Sequence, residues 1–223
     1  MSAEISAVPA AARLRITETF LSLQGEAVSV GWPTFFIRLT GCPLRCHYCD
    51  TAYAFHGGEF RTVARLVDEA RESGARHVCV TGGEPLAQPT CATLLNELCE
   101  AGFSVSLETS GAIDSGGVDA RVARVIDIKT PGSGESQRNL DLSVHGLREA
   151  DQLKFVICDR PDYEWSRERV HAERLETHCT VLFSPSHGQL PAVQLADWIL
   201  ADRLPVRFQV QLHKLLWGDV PGR

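Results

Sequence analysis

The most restrictive feature of this chain is a rhythm. A short run rich in Val, Ile, Leu or Phe is followed by a stretch with apolar residues every three or four positions, and the pair recurs along most of the length. Strand-like runs fall at residues 34–39, 77–80, 104–108, 122–128, 152–157, 179–183 and 207–212, with helix-like stretches at 61–73, 90–101, 163–176 and 192–200. Alternating strand and helix predicts a parallel sheet with helices outside, because each crossover must return the chain to start the next strand in the same sense. About six repeats are too few for a closed eight-stranded barrel of about 250 residues. The pattern therefore predicts an α/β fold: a shortened, open barrel of about six parallel strands, with its working face at the C-terminal strand ends.

The turns at those ends carry chemistry. GCPLRC follows TFFIRLT, TGGEP (81–85) follows HVCV, ETSG (108–111) ends FSVSL, and DIKT (127–130) ends the strand through Val125. Turns at the same end of successive strands converge on one cavity. The 223 residues suffice for one full core, and 44% hydrophobic with 22% charged residues are the proportions of a soluble globular chain. A single domain over residues 14–223 is expected, preceded by a disordered, small and polar 1–13. No apolar run reaches membrane-spanning length, and MSAEISAVPAAARLR lacks the apolar core of a signal peptide, so a cytoplasmic chain without a membrane partner is expected. A net charge of −6 without a Lys/Arg cluster argues against nucleic acid.

Cys42, Cys46 and Cys49 lie within eight residues of a loop marked by Gly41, Pro43 and Arg45. In a reducing compartment a disulfide framework is not expected. Buried small thiols, or a zinc site short of a ligand, are the plain alternatives. Three thiolates instead suit an iron–sulfur cube whose fourth iron is left open for an outside ligand. Cys79, Cys91, Cys99, Cys158 and Cys179 fall in apolar patterns and read as core thiols.

Cys-x3-Cys-x2-Cys followed by GGEP resembles the radical S-adenosylmethionine superfamily. Within it, TETFLSLQGEAVSVGWPTFFIRLTGCPLRCHYCDT, VTGGEP, SLETSG and QVQLHK, from about residue 16 to 214, resemble the 7-carboxy-7-deazaguanine synthase family. That resemblance implies conversion of 6-carboxy-5,6,7,8-tetrahydropterin to 7-carboxy-7-deazaguanine with loss of ammonia, a step toward queuosine. It implies a [4Fe–4S] cluster on Cys42, Cys46 and Cys49, S-adenosylmethionine on its open iron, and Mg²⁺ at the hydroxyl of Thr51, where a helix N-cap is the plain alternative. Leu23, Gln24 and Gly25 would lie along the pterin, with Gln24 and Glu26 on its amide and amino edge; a turn is the alternative for Gly25. Arg38, lone on an apolar strand, would fork the substrate carboxylate unless an internal salt bridge takes it. Thr81 would touch substrate, while Gly82, Gly83 and Glu84 would meet the amino end of S-adenosylmethionine, unless TGGEP is merely a tight turn. Ser110 and Asp127, Ile128 and Lys129 of DIKT would line its ribose and methionyl parts, and Ser184 and His187 of SPSH would frame its adenine.

Gln211 and His213, two apart on an expected strand, would face the substrate together; a satisfied surface histidine is the alternative for His213, and a solvated loop histidine for His187. Relatives can end soon after the His-Lys pair, whereas LLWGDVPGR continues here. By the same resemblance a homodimer and a flavodoxin-type electron donor are expected. Two other readings stand beside this one: a radical activase for a partner protein, and a non-enzymatic iron–sulfur or zinc protein.

Overall fold

The computed structural model describes residues 12–140 and 146–222. The segment expected to be disordered therefore lies outside the described residues up to 11, while Arg13 already begins a strand.

The elements, in chain order, are β1 (Arg13–Leu23), β2 (Pro33–Leu39), β3 (Glu59–Thr62), α1 (Val63–Glu72), β4 (His77–Gly82), α2 (Cys91–Glu100), β5 (Ser104–Thr109), β6 (Ala123–Ile128), β7 (Gln152–Ile157), α3 (Arg160–Glu173), β8 (Thr180–Pro185), α4 (Ala192–Asp202), β9 (Arg207–Phe208) and α5 (Leu212–Trp217). They form one sheet in the order β3-β1-β2-β4-β5-β6-β7-β8-β9, whose two ends do not join. From β2 to β9 every pairing is parallel. Six of these strands are six or seven residues long, and β9 is a two-residue addition, so the open, shortened barrel of about six strands is what forms.

Local chemistry explains the boundaries. In α1 the Thr62 hydroxyl accepts from Arg65 N, satisfying one orphan amide, and Val63, Leu66, Val67 and Ala70 repeat at helical spacing to cover the sheet. A fully buried leucine such as Leu66 or Leu94 contributes about 1.5–3 kcal/mol by leaving water. The third helix starts and ends three residues earlier than its periodicity predicts. Asp159 caps it by accepting from Asp162 N, and Arg174 closes it in the left-handed region at φ 48°.

Two expectations fail here. β1 and β3 were not visible as strands, yet β1 pairs antiparallel with both β2 and β3. The expected strand over 207–212 stops at Phe208; Gln211 is instead the N-cap of α5, so Gln211 and His213 do not share a strand face.

The outer apolar layer is in two parts. One core gathers side chains of β1, β2, β4, β5, α1 and α2, and another gathers those of β6, β7, β8, α3 and α4. Among the described residues no α-helix connects β5 to β6 or β6 to β7, so no helix bridges the parts. The inner face is polar by comparison. Along β5, Val105, Leu107 and Thr109 are buried outward, while Ser106 and Glu108 alternate inward and only half-buried. None of the described helices is long and apolar enough to cross a membrane.

Candidate active site

The cavity at the C-terminal strand ends is lined by Cys42, Cys46 and Cys49 together with residues from β1, β2, β4, β5, β6, β7, β8 and α5. The cysteine loop is held from several sides: Gly41 N donates to Ala54 O at 2.8 Å, Glu84 N to Gly41 O at 2.8 Å, and His47 N to Ser133 O at 3.0 Å. Arg45 fastens it further, donating to Cys42 O at 2.8 Å and Leu44 O at 2.6 Å with its guanidinium 4.3 Å from the centre of the Phe55 ring. All three thiols are half-buried, and burial pushes Cys42 up and Cys46 up to about 11. A metal held there supplies the positive charge that deprotonates a coordinating thiol.

The donor set fits a cube. Among the described residues no three His, Cys, Asp or Glu side chains gather around one point, as a structural zinc ion would require. A cube asks something different, since each thiolate holds a different iron. Of the remaining thiols, Cys79, Cys91, Cys99 and Cys179 are buried as expected, but Cys158 is only half-buried where the chain leaves β7, and so is not a core thiol.

Gly83 packs directly under the cysteine loop, where a Cβ would collide with Gly41 O. Gly82 and Gly83 line the cavity; Glu84 does not. Its carboxylate is fully buried and points away, accepting from Leu86 N at 2.9 Å, Thr109 Oγ1 at 2.9 Å, Ser110 N at 2.7 Å and Ser110 Oγ at 2.5 Å. The expected contact to an ammonium is thereby corrected: Glu84 ties the turn after β4 to the turn after β5. Ile128 is corrected too, because alternation along β6 turns it into the outer core while Asp127 faces the cavity.

Asp127 belongs to a chain of charges that sequence alone did not connect. It ion-pairs with Lys129 at 3.1 Å and Lys154 at 3.3 Å; Lys154 in turn meets Glu26 Oε2 at 2.7 Å. Gln211 donates to Glu26 Oε1 at 2.7 Å and to Asp50 Oδ2 at 3.4 Å, and Lys214 pairs with Asp50 at 3.0 Å. Burial alone would lower the Lys154 ammonium, but Glu26 and Asp127 outweigh it and hold it well above the usual lysine value. Burial would likewise raise Asp50, yet Lys214 and the Thr51 hydroxyl hold it at about 2. The network runs from β6 and β7 through the loop after β1 and the start of α5 to the cysteine loop, fixing one wall of the cavity.

Thr51 stands at the N-cap position of a 3-10 turn over Ala52–Phe55, but its side chain makes no capping bond; the hydroxyl donates to Asp50 Oδ1 at 2.9 Å and faces the cavity. Gly25 is needed for close approach, since a Cβ there would run into the His213 ring, and Leu212 N donates to Gly25 O at 2.9 Å. His213 lines the cavity with Leu23, Gln24, Thr81, Ser110, Ser184 and His187; burial lowers its pKa against the pull of Glu26 and Asp50.

Arg38 also lines the cavity, but it is not alone. Glu18 on β1 meets its Nε at 2.7 Å, and the guanidinium lies 5.7 Å from the Phe20 ring centre and 5.9 Å from that of Tyr53. Glu18 itself does not line the cavity; it holds Nε from beside the pocket and leaves the rest of the Arg38 guanidinium facing it. Glu108 and Lys154 were not singled out in the sequence, although the ETSG turn already marked the first.

The Radical SAM superfamily model matches residues 36–182. The 7-carboxy-7-deazaguanine synthase of Chlorobaculum tepidum is 41% identical over 210 residues, covering 93% of this chain and 96% of that one. The synthase of that name from Koribacter versatilis is 37% identical over 219 residues, covering 92% and 97%. In fold, the crystal structure of QueE from Escherichia coli superposes with a TM-score of 0.73 at 24% identity, over 90% of this chain and 95% of that one. Matches of this extent span the cysteine loop, the sheet and the cavity together, and the chain belongs to the 7-carboxy-7-deazaguanine synthase family of the radical S-adenosylmethionine superfamily.

Proposed function

We propose that the chain converts 6-carboxy-5,6,7,8-tetrahydropterin to 7-carboxy-7-deazaguanine with loss of ammonia. The observation that carries this reading is one cavity holding both the three half-buried thiols and Arg38, a cation suited to an anionic substrate. When bound, the [4Fe–4S] cluster and S-adenosylmethionine supply a hydrogen-abstracting radical. The chain's own residues orient the substrate, keep water out and hold charge in place. Family membership favours this synthase over an activase or a non-enzymatic metal protein. The experiment is anaerobic turnover with S-adenosylmethionine, a reductant and the carboxy-tetrahydropterin, with product identified by mass and ammonia counted. Cleavage of S-adenosylmethionine with no deazaguanine formed would refute it.

Arg38 would grip the substrate carboxylate with the guanidinium edge that Glu18 leaves open. Arg38→Lys keeps the charge and loses the planar fork, and is expected to weaken substrate binding about 10–100-fold while uncoupled cleavage of S-adenosylmethionine persists. Substrate affinity equal to wild type would sink this role.

Mg²⁺ is proposed at Thr51. Support comes from a hydroxyl that faces the cavity without capping a helix, beside an ionised Asp50. With so few protein ligands, most of the metal's shell would come from substrate oxygens and water. Substrate and Mg²⁺ should therefore strengthen each other's binding, and Thr51→Val should reduce that coupling several-fold with the cluster intact. Substrate titrations with and without Mg²⁺ measure it; a metal that changes neither affinity nor rate ends the assignment. A homodimer and a flavodoxin-type donor are proposed by analogy with the family, and sedimentation and reduction assays test them. Residues Ser184 and His187, both in the cavity lining, are proposed to face the adenine.

A further inference from the structure

We infer that Glu135 is a positioning residue that sets the electron affinity of the cluster, holding the cysteine loop beside Cys46 and placing a negative charge there. The inference rests on the reading of Cys42, Cys46 and Cys49 as the cluster's ligands. Arg45 N donates to Glu135 Oε1 at 2.5 Å, and His47 N donates to Ser133 O at 3.0 Å. The middle cysteine is thus bracketed, one residue to either side, by a single turn that follows β6. None of residues 130–135 lines the cavity, so this turn grips the cysteine loop from behind.

The turn is itself well fastened. Ser133 Oγ donates to Thr130 O at 2.6 Å and accepts from Glu135 N at 3.0 Å. Asp162, 1% exposed in the first turn of α3, accepts from Thr130 Oγ1 at 3.0 Å, Gly132 N at 2.7 Å and Cys158 N at 3.1 Å. Gly134 takes φ 77°, and a Cβ there would run into the His47 ring. The Glu135 carboxylate is therefore held in one place, and nothing neutralises it. Among the described residues it has no ion pair and its Oε2 accepts no hydrogen bond. The neighbouring Arg45 guanidinium is committed instead to Cys42 O, Leu44 O and the Phe55 ring. Glu135 is half-buried, so salt and water screen it only in part. Iron–sulfur potentials respond to the net charge around the cluster. A fixed anion one residue from Cys46 opposes the entry of an electron, which lowers the potential and makes the reduced cluster a stronger reductant.

The test is the midpoint potential of the anaerobically reconstituted protein without S-adenosylmethionine, titrated with dithionite and mediators and read by the EPR signal of the reduced cluster. Glu135→Gln keeps the acceptor for Arg45 N and removes the charge alone. It is expected to retain full iron and to raise the reduced-to-oxidised ratio at a fixed solution potential at least about 3-fold, an upward shift of about 28 mV for one electron. Glu135→Asp keeps the charge but draws its oxygen back from Arg45 N. Its potential should stay near that of wild type, while iron is lost faster to a chelator. Asp68→Asn removes the same charge from an exposed site on α1 and should leave the potential where it was. A Glu135→Gln potential equal to that of wild type, or an equal shift in Asp68→Asn, would overturn the inference. Should Glu135→Gln hold no iron, Glu135→Asp decides: a wild-type potential supports the charge role, and a rise of the size given for Gln overturns it. A wild type that assembles no cluster would overturn the inference together with the ligand reading, whereas a loaded protein whose potential ignores Glu135 overturns the inference alone.

Discussion

Cys46→Ala is expected to leave the protein without its cluster and without turnover, and Cys42→Ala and Cys49→Ala to do the same. In such a cluster each thiolate would hold a different iron, so no neighbour could take its place, and the loop that carries them offers no fourth cysteine. Iron and sulfide should fall to background after anaerobic reconstitution. Cys79→Ala and Cys91→Ala are the controls. Both thiols are fully buried in the sheet or against it, and their loss should lower stability by about 1–3 kcal/mol with iron content unchanged. Cys158→Ala should also retain full iron, with a smaller stability loss because the site is half-buried. A Cys46→Ala protein with wild-type iron would remove the foundation of the proposed chemistry.

Glu84→Ala is expected to be the most destabilising single change near the site. It deletes the acceptor of four donors, Leu86 N, Thr109 Oγ1, Ser110 N and Ser110 Oγ, at a position with no solvent exposure. An unsatisfied buried donor costs about 1–3 kcal/mol, and partial relaxation should leave a total of about 3–5 kcal/mol, a large share of the usual 5–15 kcal/mol of a domain. Glu84→Gln, which keeps one acceptor oxygen, should fall between. Denaturant unfolding measures both. Were Glu84 instead a direct ligand of S-adenosylmethionine, Glu84→Gln would lose cofactor affinity at unchanged stability, and that outcome would reject the tying role.

The parallel strands were legible because each is a short apolar run and each ends in a turn of Gly, Pro or chemically distinctive residues. β1 was not. Its register shifts between Ile16 and Glu18, so the two-residue alternation of RLRITETFLSL changes phase midway and no single face emerges. Missing β1 also hid Glu18, and Arg38 therefore seemed lone. QVQLHK read as a strand from its first residues, but Leu212, Leu215 and Leu216 have helical spacing that only local hydrogen bonding from Gln211 onward resolves. That Cys42, Cys46 and Cys49 stand together at the cavity was legible from their spacing. The Lys154–Glu26 pair, 128 residues apart, was not, since nothing in a single chain marks which distant charges the sheet brings together. Glu84 was misplaced for a related reason: the motif identifies the turn but not the direction in which its side chain leaves it.

The divided outer layer has a mechanical consequence. Among the described residues no helix lies in the crossover from β5 to β6, and the two halves of the sheet are held together at that line by ladder hydrogen bonds, by the pairing of Arg121 with Glu100 of α2 at 2.8 Å, and by whatever spans the inner face. Arg38 and Glu108 belong to one half, Asp127 and Lys154 to the other, and the cavity straddles the line. A ligand touching both sides acts as a cross-brace: it sets the angle between two separately consolidated slabs, and its binding energy is returned as rigidity of the whole chain.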